Sequence, residues 1–377
     1  MQASILPSLA ALGPDWPFTG DDPFASHAFL SACETHGAAS PLMGWEPCHV
    51  ALRDDAGALL GLLPLYQRSH SYGDFAWDFG WAGAWERMGL PYYPKLVTAI
   101  PYTPSPGPRL LVAPRADGAA VRAGLIAAAL QMVRELDVSC WQCLFVTDDD
   151  REALQDAGLL LRQNVQYHWQ RRGEGDFEDF LAGLTAKRRK ETRRERRRVA
   201  EAGVELRTLH GDEIDDALWP AIHRHYLTTF QRYNSPAAFT EDFFRDMGRQ
   251  LGRRMVVFVA FLDGEAVASS ICYRSSSALF GRHWGADREV DCLHFELCYY
   301  QGIDYCLREG LQSFEPGAGG EHKIARGFMP ISTWSGYWIA DPRLRRAVED
   351  FLARENKALE HYADEAGAHG PYRAGLG

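Results

Sequence analysis

The chain has 377 residues, 46% hydrophobic and 24% charged, with a net charge of −10. That apolar share excludes disordered and collagen-like classes, and the length suits two domains or one large one. No run approaches the roughly 18–20 apolar residues of a membrane helix. The opening MQASILPSLAALGPDWP lacks the basic start and long apolar core of a secretion signal, so a cytoplasmic protein is expected.

Residues 1–40 read as a Pro/Asp-punctuated lead-in and a short helix over Phe24–Thr35. CHVALRD and ALLGLLPLY read as strands joined at Asp54–Gly57. An aromatic, Gly-rich stretch (71–94) and a Pro-broken extended segment (95–112) follow. Asp117 caps an expected helix through Val121–Leu136, with Leu125, Ile126, Ala129 and Val133 at helical spacing. Strand SCWQCLFVT, acidic helix DDDREALQDAG and strand LLLRQNVQYHWQR complete the first half.

The second half begins with one expected helix, 177–202, then strand VELRTL and helices near Leu218–Tyr233 and Thr240–Leu251. A hairpin turns at Asp263-Gly264, and SALFGRHWGA is the next strand. Helix Phe295–Glu309, strand QSFEPGA, loop GGEHKIARGF, strand STWSGYWIA and a closing helix end the ordered chain. The hairpin from Val50 and that from Val259 lie 209 positions apart, each followed by further strand, helix and strand. The repeated order predicts two similar α/β units with mixed sheets and flanking helices. Their expected spans are 1–170 and 171–365, the second carrying a basic helix at 186–202, with a flexible tail at 366–377.

Eight cysteines lie in apolar contexts and read as small hydrophobes. Cys140 and Cys143, three apart on a strand, point to opposite faces, and no second pair completes a metal site. No metal is expected.

The richest polar segment is FEPGAGGEHKIARGF, 314–328. Pro316 keeps Glu315 extended, and Gly317, Gly319 and Gly320 permit anion-binding nests of N–H groups. Glu321, His322, Lys323 and Arg326 add a base, an imidazole and two cations at the end of a strand, where open α/β sheets place their sites. Upstream, His283 and Trp284 lie on the strand and Glu296 opens the next helix. All three are candidates for substrate binding; His283 reads equally as a core histidine, and Glu296 is also explained by the helix dipole. Lys95, Tyr102 and Arg109 lie on a Pro-stiffened lip that suits an anionic or acyl ligand, or a structural insert. Arg115 and Gly118, in RADGAA, sit where N–H groups can cradle a pyrophosphate, as does QRRGEG at 170–175, but one such match arises by chance.

Residues 187–198, KRRKETRRERRR, hold nine cations and two anions, a local +7 that leaves −17 elsewhere. A body so acidic does not coat nucleic acid. The run is a solvated helix paired at i±3 and i±4, or a contact for the phosphates of a nucleotide carrier, tRNA or anionic lipid.

The segments GRHWG, LHFELCYYQGIDYC and FEPGAGGEHKIARGF, with YYPKL, PYTPSPGPR and RRKETRRERRRVAEAG, resemble the FemAB-like branch of the GNAT (acyl-CoA N-acyltransferase) superfamily over about residues 25–355. The resemblance is to predicted N-acyltransferases of peptidoglycan biosynthesis/recognition type. It implies tandem GNAT-like folds and a transferase moving an acyl or aminoacyl group from a thioester or ester to an amine, without a covalent enzyme intermediate. The matching positions are Glu315, Gly317, Glu321, His322, Lys323 and Arg326. Glu315, Glu321 and His322 are then expected in catalysis, the glycines at a donor carrier, and Lys323 and Arg326 on an anionic part of donor or acceptor. Acyl-CoA and aminoacyl-tRNA are the implied donors, with no covalently bound cofactor. The usual acetyl-CoA loop is missing between GRHWGA and HFELCYYQG. A tRNA-dependent aminoacyltransferase acting on a cell-wall precursor and a non-catalytic peptidoglycan- or nucleotide-binding module are the other readings.

Overall fold

The computed structural model describes residues 1–13, 15–368 and 370–373. They divide into two compact units, Met1–Asn164 with Ser332–Glu360, and Val165–Ile331 with His361–Gly377. This differs from the expected division near residue 170. The chain changes unit within two strands and once in the closing helix.

The first unit opens with β1 (Gln2–Leu6) and α1 (His27–Thr35). Helix α1 starts three residues later than expected because the Ser26 hydroxyl accepts the Phe29 N–H and caps it there. Next come β2 (Trp45–Pro47), β3 (His49–Arg53), β4 (Leu59–Leu63) and β5 (Leu65–Arg68). The Asp54 carboxylate accepts the N–H groups of Ala56 and Ala58 and closes the β3–β4 hairpin. In the aromatic stretch lies α2 (Phe79–Arg87), which buries Trp81 and Trp85 four residues apart. The chain continues through β6 (Lys95–Thr98), β7 (Leu111–Val112), α3 (Gly118–Glu135), β8 (Cys140–Val146), α4 (Asp148–Asp156) and β9 (Leu160–Gln170). Asp117 caps α3 through the Ala120 N–H, and the apolar stripe read from the sequence is buried. Strands β1-β3-β4-β7 form one sheet. Strands β6 and β8 run parallel, Leu96 opposite Trp141, with α3 as the crossover between them. Parallel pairing needs such a connection.

In the second unit the expected 177–202 helix is two, α5 (Phe177–Gly183) and α6 (Ala186–Glu201). Leu184 between them is extended and fully buried, and its burial sets the break. There follow β10 (Glu205–His210), α7 (Trp219–Arg232), α8 (Glu241–Leu251), β11 (Met255–Leu262), β12 (Glu265–Arg274) and β13 (Ala278–Ala286). Then come α9 (Leu293–Phe295), a π-helical turn over Glu296–Tyr300, α10 (Gln301–Glu309) and β14 (Ser313–Glu315). The sheet order is β10-β11-β12-β13-β14-β9. Here too a parallel pair, β13 and β14, is bridged by a helical crossover, so the second unit repeats the β6-α3-β8 plan. Helix α7 lies so close to β13 that a Cβ at Gly285 would overlap the His225 carbonyl. Strand β15 (Met329–Ile339) and α11 (Pro342–Ala368) close the chain. Within the first unit β15 pairs antiparallel with β8, and the sheet runs β15-β8-β6-β5-β2. No helix among the described residues is long and apolar enough to cross a membrane. All eight cysteines are free, and no group of three His, Cys, Asp or Glu among the described residues could hold a metal ion.

Candidate active site

Strands β13 and β14 stay paired for three residues only: Ala278 opposite Ser313, Leu279 opposite Phe314, Phe280 opposite Glu315. Pro316 then has no N–H to continue the ladder, and Gly317 turns away at φ +91°. The strands part at Gly281 and Pro316. A cavity of about 400 Å³ opens in the wedge, walled by β13, the π-helical turn and the glycine loop.

From β13 come Arg282, His283 and Trp284. The Arg282 guanidinium donates to Glu315 Oε1 at 2.7 Å, and both side chains are 3% exposed. Buried so deeply, the two charges are committed to each other. The His283 ring is boxed by Tyr226, Phe239 and Phe244, and burial holds its pKa down at about 3. His294 stands against Trp284 and Tyr299, and burial, aided by nearby cations, lowers it to about 4. Both imidazoles are neutral at pH 7.

The expected loop 319–328 contains a 3₁₀ turn, Glu321–Arg326. His322 Nε2 lies 2.9 Å from the Tyr299 hydroxyl, with its pKa below the usual histidine range through partial burial and the neighbouring Arg326 and Lys323. Lys323, 3% exposed, donates to the carbonyls of Gly317 at 2.6 Å and Ala318 at 3.3 Å. Burial pulls its pKa from 10.5 to about 8. Each peptide opposes its C=O and N–H, so the plane that turns Ala318 C=O to Lys323 turns Gly319 N–H the other way. Gly317, Gly319 and Gly320 all line the cavity.

Other expected residues do not line it. Glu321 accepts from Tyr362 at 2.7 Å. Arg326 is drawn off to Glu195 of α6 at 2.8 Å and lies 3.4 Å over the Phe295 ring, so it is no free anion ligand. Glu296 is buried against Arg196 and Gln301. In the first unit, the expected lip is not a lip. Lys95 is fully buried and donates to Asp78, Ser71 and Gln142, with Asp74 at 3.0 Å. Arg109 is buried too, its guanidinium spent on the carbonyls of Leu144 and Ser105. Tyr102 packs on Gly73 and Trp45. Gly118 is the first residue of α3, and Arg115 is exposed before it; neither lines the cavity of the second unit.

Sequence reasoning missed Tyr299, Cys298, Ser270 and Thr229, all in the cavity wall. For Tyr299 the available signal was the run of aromatics at the start of its helix, which reads as core.

Helix α6 is less naked than its composition implies. Arg188, Arg193, Arg196 and Arg198 pair with Glu191, Glu178, Glu296 and Asp291. Arg189, Lys190 and Arg194 make no ion pair among the described residues, and Arg189, Lys190, Arg193 and Arg197 line one open face.

Residues 10–374 match the family model FemAB-like, described as peptidoglycan biosynthesis/recognition. No curated protein sequence matches the chain. Among solved structures, FemX aligns with a TM-score of 0.55 at 10% identity, over 93% of this chain and all of the other. L-PGS from Bacillus licheniformis aligns at 0.52 and 11% identity, over 89% of this chain and 98% of that one. A tandem GNAT protein from the clavulanic acid biosynthesis pathway aligns at 0.44 and 15%, over 90% and 99%. At such identities the likeness concerns the fold.

Proposed function

The chain belongs to the FemAB-like family of peptidoglycan biosynthesis/recognition, built of two GNAT-like units, and from that premise we propose that it is an N-acyltransferase whose reaction takes place in the β13–β14 wedge. The observation that carries this reading is the wedge itself, an opening between parallel strands with a neutral imidazole and a cation on its rim. Acyl transfer to an amine needs little more: a base for the amine, polarisation of the carbonyl, and fixed geometry.

In this reading the amine nitrogen bonds to the acyl carbon, and the C–S or C–O bond to the carrier breaks. The amine proton passes to His322, which is neutral and held by Tyr299, and from there to the leaving group. His322 is preferred to Glu321, which is occupied by Tyr362 and lines no part of the cavity. Lys323 braces the glycine loop and supplies positive charge for the carbonyl oxygen. Glu315 serves as a positioning residue, holding Arg282 in the wall. Trp284, His283 and His294 shape the substrate space. The open face of α6 gives the phosphates of a donor carrier, whether coenzyme A or tRNA, a place to bind. That face is what supports the tRNA-dependent reading as second choice.

Substituting His322→Asn tests the scheme against a non-catalytic module. Transfer from acetyl- or propionyl-coenzyme A to a primary amine is expected to fall by about 10²–10⁴ with donor affinity held. Loss of affinity alone, with no transfer by the wild type to compare, would support the module.

A further inference from the structure

Two elements fix the His322 imidazole, and one carboxylate grips both of them. The first is the 3₁₀ turn Glu321–Arg326, which carries the His322 backbone. The second is the π-helical turn, whose Tyr299 hydroxyl lies 2.9 Å from His322 Nε2. Glu195 reaches both from α6. Its two oxygens accept Arg326 Nη2 at 2.8 Å and Nε at 3.3 Å, the fork geometry of a guanidinium. The remaining nitrogen, Nη1, donates to the carbonyl of His322 itself at 3.0 Å. The face of the same guanidinium lies 3.4 Å over the Phe295 ring. Glu195 Oε2 also accepts the hydroxyl of Tyr300, the neighbour of Tyr299 on the π-helical turn. The Glu195 and Arg326 side chains are 13% and 11% exposed, so water screens the pair less than it would on an open surface. Along α6, Glu195 shares a face with the buried Thr192 and Val199, three positions before it and four after. Arg189, Lys190, Arg193 and Arg197 lie on the other side of that helix.

We infer that Glu195 is a positioning residue for the transfer: through Arg326 and Tyr300 it sets the His322 imidazole against Tyr299, and a simple charge pair cannot replace its fork. The inference rests on the acyl-transfer reading above, in which His322 takes the amine proton. It gives α6 a second task, because the helix that offers one face to phosphates sets the base with the other.

Glu195→Gln breaks the fork, and Arg326→Lys breaks it while keeping the positive charge. In the full chain, the His322 ring is followed by its NMR titration, identified by the signal that His322→Asn removes. Turnover of propionyl-coenzyme A with a primary amine is measured alongside. In the wild type the ring titrates below the usual histidine range, through burial, Arg326 and Lys323; Tyr299 and His294 also face it. In both variants the midpoint is expected to rise toward the usual range as the ring swings to water. The turnover number is expected to fall about ten- to a hundredfold, with KM nearly held. An unchanged titration and turnover in either folded variant, whatever its melting temperature, makes the pair structural and overturns the inference. Where Glu195→Gln does not fold, Arg326→Lys decides alone. A displaced titration with turnover undiminished, or absent from the wild type, overturns His322 as the base and the inference with it.

Discussion

At Lys323 burial competes with the attraction of Cys298 and Glu315, and burial wins: the pKa falls from 10.5 to about 8. Below pH 8 the group is protonated in both folded and unfolded chains, and the folded state bears the whole desolvation penalty. Between pH 8 and 10.5 the unfolded chain binds more protons, so stability rises with pH, by roughly 3 kcal/mol in all. Lys323→Met is expected to remove that rise and to be the more stable protein at pH 7. Urea unfolding at pH 7 and pH 9.5 checks this; parallel slopes in both proteins would contradict it. Glu315 differs in having a charged partner, Arg282, as buried as itself. Glu315→Gln leaves Arg282 without its anion and is expected to lower stability by about 3–5 kcal/mol, read as a fall in melting temperature. A protein that melts normally but transfers poorly would instead mark Glu315 as catalytic.

At the scale of elements, the glycine loop and its 3₁₀ turn place His322. Gly320 sits at φ +91°, and a Cβ there would stand 2.6 Å from the His322 ring. Gly320→Ala is expected to displace the imidazole and to reduce transfer at least about tenfold, whereas a surface glycine elsewhere would not. On α6, changing Arg189, Lys190 and Arg194 to Gln breaks no internal ion pair. Melting temperature is expected to hold while carrier affinity falls and its salt dependence flattens. Unchanged affinity would return α6 to a solvated helix. Elements with local signals were legible in the sequence: α3 carries its own cap and stripe, and the β3–β4 turn its own aspartate. The 71–94 segment was not, because its burial is inverted. Asp74 and Asp78 lie inside and Trp77 is exposed, and the reason is a pairing with Lys95 and with Gln142, 64 positions from Asp78. The site divides the same way. His322, Lys323 and the glycines are contiguous and could be read together; Tyr299 comes from a helix that meets them only on folding.

The whole molecule returns its chain to the first unit after building the second. Residues 332–360 complete the first unit through β15 on β8, Glu355 on Arg162 and Asn356 on Gln163. A chain cut after residue 331 is therefore expected to leave the first unit unfolded, where a division near residue 170 would have left it intact; circular dichroism and proteolysis of the fragment distinguish them.

The claim that acyl transfer takes place in the β13–β14 wedge without an enzyme-bound intermediate is tested most directly by one single-turnover measurement. Labelled propionyl-coenzyme A and an excess of a primary amine are mixed with the full chain, and intact protein and small products are weighed together by mass spectrometry. The label is expected on the amine, at a rate that His322→Asn reduces by about a hundredfold or more, with none on the protein at any time. Label accumulating on Cys298 or Lys323, or an undiminished rate in the variant, would contradict the account.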